Sequence, residues 1–389
     1  MTRLAPIALA LLLAGCPSGP DSELPAPAVQ DGEVDGEALR EALTGFADEA
    51  KYPGLSACIF TTTAIAWCDG IGLRDPEAQD AVTPDTPFLL ASVSKMVTAA
   101  TATLAVEEGV LDLDASIADH ADFTLQHPEG AAITTRQLLQ HSAAVIDNDG
   151  PMEGYYTDGA DPEMSLDEAI RRYFDPAGAD YDASGNFASR APGAEFEYSN
   201  MGFALAGWVV ERSTGQPFDA RSAVGIFGPL GLENTSWWLS DFEAAELAMP
   251  SEWTGDTWLP YGQYTFADYP NGGLRSSARD LATFGRMILG GGDVDGTRVL
   301  AEASVDAMTD ATFDDGDGGR VGLGWFTLPW YDDGWAGHDG GEAGASTGLY
   351  LNRSLGVGVL YLANGDGESD DALFDLEDLL VATAEALAE

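Results

Sequence analysis

The sequence predicts an α/β protein in which the two ends of the chain build one layer and a mainly helical part is inserted between them. Two observations carry this. Runs of alternating apolar residues, the mark of strands with one face in a core, stand near the start (GLSACIFTTTAIAWCDG, from residue 54) and near the end (TGLYLN from 347, GVGVLYLAN from 356). The stretch between them reads as helical patches joined by long acidic and aromatic loops, with few strand patterns. The chain has 389 residues, 45% of them hydrophobic, which is enough to bury a large core.

Taken in order, the first 16 residues read as an export signal. Arg3 gives a short positive start, and Ala5 to Gly15 is an apolar run too short to span a bilayer. The run ends in Leu13-Ala14-Gly15-Cys16, which resembles the bacterial lipobox, where the signal is cut before a cysteine that is then acylated. Cys16 is therefore expected to anchor the protein to a membrane of the cell envelope. The alternative is a plain secretory signal, and both readings place the mature chain outside the cytoplasm. Residues 17–33 are Pro-rich, acidic and without hydrophobic period, as a tether would be. The folded part is then 34–389, with 34–115 and 270–389 forming the α/β part and 116–269 the helical part.

Leu39, Leu43 and Phe46 recur at helical spacing over 37–50, and Pro53-Gly54 stop that helix. Thr61-Thr62-Thr63 separates two strand runs, which predicts a hairpin with Cys58 and Cys68 near each other across it. In an exported protein such a pair predicts a disulfide rather than a metal site. After Pro87, the run 93–108 has no helix breaker before Gly109. Further helical patches lie at 135–141, 166–174, 202–212 and 278–289. A strand is expected at 321–328, a strand pair around a tight turn at Arg353-Ser354, and a last helix over 371–387.

The charge balance is extreme, with 65 acidic residues against 17 basic ones and a net charge of -48. A polyanion gains nothing by approaching such a surface, so nucleic acid is excluded as a partner. The acidity itself reads as a property of the whole surface rather than a binding device. Against this background one lysine stands out. The chain has only Lys51 and Lys95, and Lys95 follows Ser92 by three residues in FLLASVSKMVTAA, at the start of the predicted helix. That spacing puts both side chains on one face. A partly buried lysine beside the positive end of a helix loses some of its preference for a proton and can take one from serine. Ser-x-x-Lys is also a frequent accident of helix starts, so the later segments matter.

Tyr198 precedes a predicted helix in Glu197-Tyr198-Ser199-Asn200 and can offer its phenol as a second proton carrier. Gly337-His338-Asp339-Gly340-Gly341 precedes the last strand pair, with glycines that let a substrate lie against backbone. The order Ser-x-x-Lys, Tyr-x-Asn, His-x-Gly resembles that of the penicillin-recognising serine hydrolases: class C β-lactamases, D-Ala-D-Ala carboxypeptidases and related esterases. Ile133 to Ser142, Gly228-Pro229-Leu230-Gly231-Leu232 and Asn271-Gly272-Gly273-Leu274 look like the same family, so the resemblance covers most of the chain from about residue 37.

The resemblance implies a β-lactamase/transpeptidase-like fold, an antiparallel sheet flanked by helices with an inserted mainly helical domain. It implies an acyl-enzyme at Ser92, proton transfer shared by Lys95 and Tyr198, substrate contacts from Asn200, His338, Gly340 and Gly341, and an oxyanion hole from the N–H groups of Ser92 and Gly341. No metal or organic cofactor is implied. The third motif departs from the family's usual Lys-Thr-Gly, where a lysine and a threonine hold a substrate carboxylate. A neutral histidine and an aspartate would hold a carboxylate poorly, so small esters are expected to be turned over better than β-lactams. The alternatives are a D-Ala-D-Ala carboxypeptidase or β-lactamase, and a catalytically silent binder of cell-wall peptide or protein.

Gly344-Ala345-Ser346-Thr347-Gly348 matches a nucleophile elbow but runs directly into a strand, so it reads as a strand entrance. His120, His127 and His141 lack metal-ligand spacing and read as structural or surface residues. The acidic turns at 147–150 and 314–317 do not complete a calcium loop and read as solvated turns. The aromatic residues Trp237, Trp238, Trp253, Trp258, Tyr261 and Tyr264 are expected mostly in core packing.

Overall fold

The computed structural model describes residues 25–331 and 334–388. Cys16 and the first part of the expected tether lie outside them. The later part of that tether ends in a small hairpin, Val29–Gln30 against Glu33–Val34, whose neighbour Ala28 donates its N–H to Thr383 Oγ1.

One antiparallel sheet organises the molecule. Its strands, in chain order, are β1 (Gly54–Thr61), β2 (Ile65–Asp75), β3 (Asp80–Ala81), β4 (Phe313–Asp314), β5 (Arg320–Val321), β6 (Phe326–Thr327), β7 (Trp335–Glu342), β8 (Ala345–Asn352) and β9 (Val357–Ala363). They lie side by side in the order β4-β5-β6-β7-β8-β9-β1-β2-β3, so the C-terminal strands join the N-terminal ones through the pairing of β9 with β1. The period-two pattern sorts the side chains. Leu55, Ala57 and Ile59 of β1 and Val357, Val359 and Tyr361 of β9 face one core, under helices α1 (Gly36–Ala50) and α5 (Asp370–Ala388). Cys58, Phe60, Leu360 and Leu362 face the other core, under α4 (Ala278–Leu289). Cys58 and Cys68 oppose each other in register, Cα atoms 4.0 Å apart, and are joined as a disulfide.

Behind that second core lies α2 (Ser94–Glu107), apolar and buried on nearly every side, packed against α3 (Asn200–Thr214). A helix buried all round fixes its own N-terminus, and Ser92 sits in the single 3₁₀ turn Ala91–Val93 leading into it. The inserted part is not purely helical. Tyr156–Asp158 pairs with Tyr264–Phe266, and Ser251–Trp253 pairs with Trp258–Pro260.

Two sequence expectations need correction. The run 321–328 is not one strand. Gly324, at φ +72°, turns the chain back between β5 and β6 so that its N–H reaches the Leu139 carbonyl. Conversely the His338 motif does not merely precede strands but is itself strand β7, paired residue for residue with β8. Its three glycines hid it, since glycine disfavours strands on propensity. At Gly340 the reason for glycine is contact: a Cβ there would collide with the Leu90 carbonyl and with Thr347 Oγ1. The strand edge is thereby pressed against the turn that carries Ser92.

Candidate active site

Ala91, at φ +46°, holds a left-handed conformation that a residue with a Cβ adopts only under constraint, and it turns the chain into α2 immediately before Ser92. One helical turn on, Lys95 is fully buried and its Nζ donates to Ser92 Oγ at 3.0 Å, Asn200 Oδ1 at 2.7 Å and the Asn271 carbonyl at 2.7 Å. Burial lowers its pKa from 10.5 to about 7, partly opposed by the carboxyl groups of Asp147, Asp268 and Glu342. Near neutral pH the amine is thus poised between proton donor and acceptor.

Tyr198 donates its hydroxyl to Ser92 Oγ at 2.8 Å, and its ring lies 4.9 Å from Lys95 Nζ. Burial pushes the phenol above its ordinary pKa, so it stands as a neutral hydroxyl with a proton to give. Ser199 caps α3 by accepting the Gly202 N–H at 2.9 Å, which leaves its neighbours Tyr198 and Asn200 aimed at Ser92 and Lys95. Two separate segments therefore converge on one hydroxyl: Lys95 and Tyr198 bond to Ser92 Oγ directly, and Asn200 holds the lysine.

The third motif is partly elsewhere. Gly340 and Gly341 line the cleft, but His338, expected among the substrate contacts, is 2% exposed and is not part of the cleft wall. Its ring packs edge-on against Phe326 and Tyr198, and its Nδ1 lies 2.6 Å from the Asp339 carbonyl. A carbonyl only accepts, so Nδ1 carries the proton and Nε2 is left without a partner among the described residues. Burial holds its pKa down to about 3, so His338 is neutral.

Several residues were not singled out by sequence. His141, of the two readings the structural and not the surface one, is buried beside the site: its ring stacks on Tyr198 with centroids 4.2 Å apart, and its Nδ1 accepts the Ser199 N–H at 3.0 Å. Asp147 is not in a solvated turn. Its carboxylate accepts from Ser199 Oγ, Asn200 N and Met201 N at 2.8–3.0 Å, where the helix dipole favours negative charge. Asp268 accepts from Asn271 Nδ2 at 2.7 Å, and Glu342 from Tyr156 at 2.9 Å. The only sequence cue was the run Asn271-Gly272-Gly273-Leu274, beside Asp268.

The cleft has a volume of about 580 Å³. None of the six singled-out aromatics from Trp237 to Tyr264 lines it; its aromatic walls are Tyr52, Tyr156, Phe196, Tyr198, Phe266, Tyr361 and Phe374. Ser346 Oγ donates to the Gly365 carbonyl at 2.9 Å inside strand β8, not on an elbow. Among the described residues no three His, Cys, Asp or Glu side chains gather as metal ligands.

The sequence profile of the family described as Beta-lactamase matches residues 39–383. The chain belongs to the β-lactamase family. This is a family of serine hydrolases, and the Ser92 cluster is the part of this β-lactamase-family protein that fits such chemistry. It is 24% identical over 323 residues to Protein flp of Staphylococcus aureus, a match that takes in 82% of this chain and 61% of that protein. The chain thus spans about three-fifths of the length of that relative. It is 29% identical to Penicillin-binding protein 4 of Amycolatopsis lactamdurans, covering 73% of this chain and 74% of that one. In fold it resembles EstCE1, a hydrolase with promiscuous acyltransferase activity, with a TM-score of 0.72 at 20% identity over 90% of this chain and 99% of that one.

Proposed function

We propose that the protein is an exported hydrolase that cleaves small esters or amides lacking a carboxylate, through an acyl-enzyme on Ser92. The observation that carries this is the convergence on Ser92 Oγ of a buried lysine, with its pKa lowered to about 7, and a neutral phenol. The neutral amine of Lys95 takes the Ser92 proton as Oγ attacks the carbonyl carbon, and Tyr198 delivers a proton to the departing oxygen or nitrogen. The N–H groups of Ser92 and Gly341 receive the oxyanion. Water then attacks the acyl-enzyme by the reverse of the same transfers. A neutral His338 offers no cation to a substrate carboxylate, which supports the preference for esters over β-lactams. Export and a lipid anchor at Cys16 belong to the same reading, supported by the lipobox-like Leu-Ala-Gly-Cys run and the Cys58–Cys68 disulfide.

The decisive experiment is intact-mass analysis after a fluorophosphonate and, separately, a penicillin. Labelling lost in Ser92→Ala and kept in Ser346→Ala is expected; the opposite pattern overturns the assignment. A wild-type preference for nitrocefin over p-nitrophenyl butyrate in kcat/KM would overturn the substrate class.

A further inference from the structure

Ten of the residues lining the cleft are aspartate or glutamate, and none is lysine, arginine or histidine. Those at the mouth share in the acidity of the whole chain. Glu377 does not: only 5% of it is exposed, and a buried carboxyl adds nothing to solubility while paying for desolvation. It projects from α5 toward Asp339 of β7, and both line the cleft together with Tyr361 and Phe374. Tyr350 hydrogen-bonds to Asp339 Oδ1 and, at 2.9 Å, to Glu377 Oε1; Tyr361 reaches the same Oε1 at 2.9 Å.

A proton count follows from this geometry. Three oxygen–oxygen contacts need three protons, and two phenols supply two. The third rests on one of the carboxyl groups. Asp339 Oδ2 and Glu377 Oε2 meanwhile accept no hydrogen bond among the described residues, on a wall that faces open cavity. The pair holds a proton because nothing else positive is there.

Resting on the reading of Ser92 as nucleophile, we infer that the Asp339–Glu377 pair is the subsite for a cationic group of the substrate, an ammonium carried by the ester or amide that is cleaved. The bound cation takes the place of the shared proton, which leaves to solvent, with Tyr361 and Phe374 beside it on the cleft wall. The groups facing the pair are Tyr350, Tyr361, Tyr198 on the Asp339 side, Asp378 and, beyond Tyr361, Tyr52. Burial raises both carboxyls of the pair, and both phenols bonded to it, above their ordinary pKa values. Preference for a cation therefore grows as pH rises and the shared proton becomes easier to displace.

The test uses two matched substrate pairs at 1 M NaCl, where the diffuse field of the acidic surface is screened to about 3 Å. In one, butyrylthiocholine is compared with its uncharged isostere 3,3-dimethylbutyl thiobutyrate, so the cation is on the leaving group. In the other, the p-nitrophenyl ester of 4-(trimethylammonio)butyrate is compared with that of 5,5-dimethylhexanoate, so it is on the acyl group. We expect one pair to favour the cation by about tenfold or more in kcat/KM, and the ratio to fall at least about fivefold in Glu377→Gln and in Asp339→Asn. Tetramethylammonium chloride should also inhibit the unmodified protein more strongly than NaCl at equal concentration, a measurement that needs no variant. Ratios near one in both pairs, or ratios unchanged in both variants, overturn the subsite while Ser92 labelling still stands. A Ser92 that no fluorophosphonate labels overturns the underlying reading instead.

Discussion

The ring of His141 lies against the ring of Tyr198, 4.2 Å between centroids and 22° from parallel, while its Nδ1 accepts the N–H of Ser199. One histidine thus fixes both the plane of the phenol and the backbone that carries it. His141 itself has φ +52°, a conformation that asparagine tolerates well. His141→Asn is expected to keep the fold and to keep fluorophosphonate labelling of Ser92. It should lower kcat for p-nitrophenyl butyrate about tenfold with KM little changed, because misplacement of a proton donor acts on the transition state. A change in KM alone would show that the stack matters only for binding.

The lysine gives a pH signature. Its folded pKa of about 7 means that the neutral, proton-accepting form gains tenfold per pH unit below that value and saturates above it. The rate of Ser92 acylation should follow this limb. Lys95→Met should cost about 10²- to 10⁴-fold and flatten the limb, the range expected for loss of a general base. A limb that persists in Lys95→Met would assign it to another group. The candidates around it are Asp147, Asp268, Glu342, Tyr198, His141 and His338.

Asp268 bears on stability. Burial raises its pKa from 3.8 to about 7, so the folded protein holds a proton there that the unfolded chain has lost. A raised carboxyl contributes stability that is fully present below about 4 and is lost as pH rises through about 7. Asp268→Asn, which keeps an oxygen for Asn271 Nδ2, should therefore raise Tm at pH 8 and leave it nearly unchanged at pH 4. The gain at pH 8 is on the order of 1 to 3 kcal/mol. Thermal melts of both proteins across that range check the sign.

What was legible in the sequence was what short-range pattern encodes. The helix at Leu166–Phe174 and the one at Ala278–Leu289 carry apolar residues at helical spacing, and both ends were readable. Ser92, Lys95, Tyr198 and Asn200 were readable because each sits at a helix start within a recognisable spacing. The rest depends on distant contacts. Strand β7 is held by its neighbour β8 and by the Ser92 turn, not by its own glycine-rich sequence. His338 was placed in the cleft because its neighbours are, but strand alternation and the bulk of Phe326 turn it into the protein. Asp147 resembled any acidic turn until the start of α3, more than fifty residues later, was folded onto it.

That contact between Asp147 and α3 yields a prediction with two independent readouts. The carboxylate holds Asn200 N, Met201 N and Ser199 Oγ, and Asn200 in turn holds Lys95. Asp147→Ala leaves two backbone donors of a helix start without their acceptor, which costs about 1 to 3 kcal/mol. Asp147→Asn retains an acceptor and should cost less. Electrically the two variants agree. Asp147 is the foremost of the carboxyls that hold up the pKa of Lys95 against desolvation, so removing its charge lets that pKa fall further below about 7. The acylation limb should move to lower pH in both variants, although only Asp147→Ala loses much stability. Measured by pre-steady-state acylation with p-nitrophenyl butyrate between pH 5 and 9, a shift toward higher pH, or none at all, would show that Asp147 serves α3 and not the lysine.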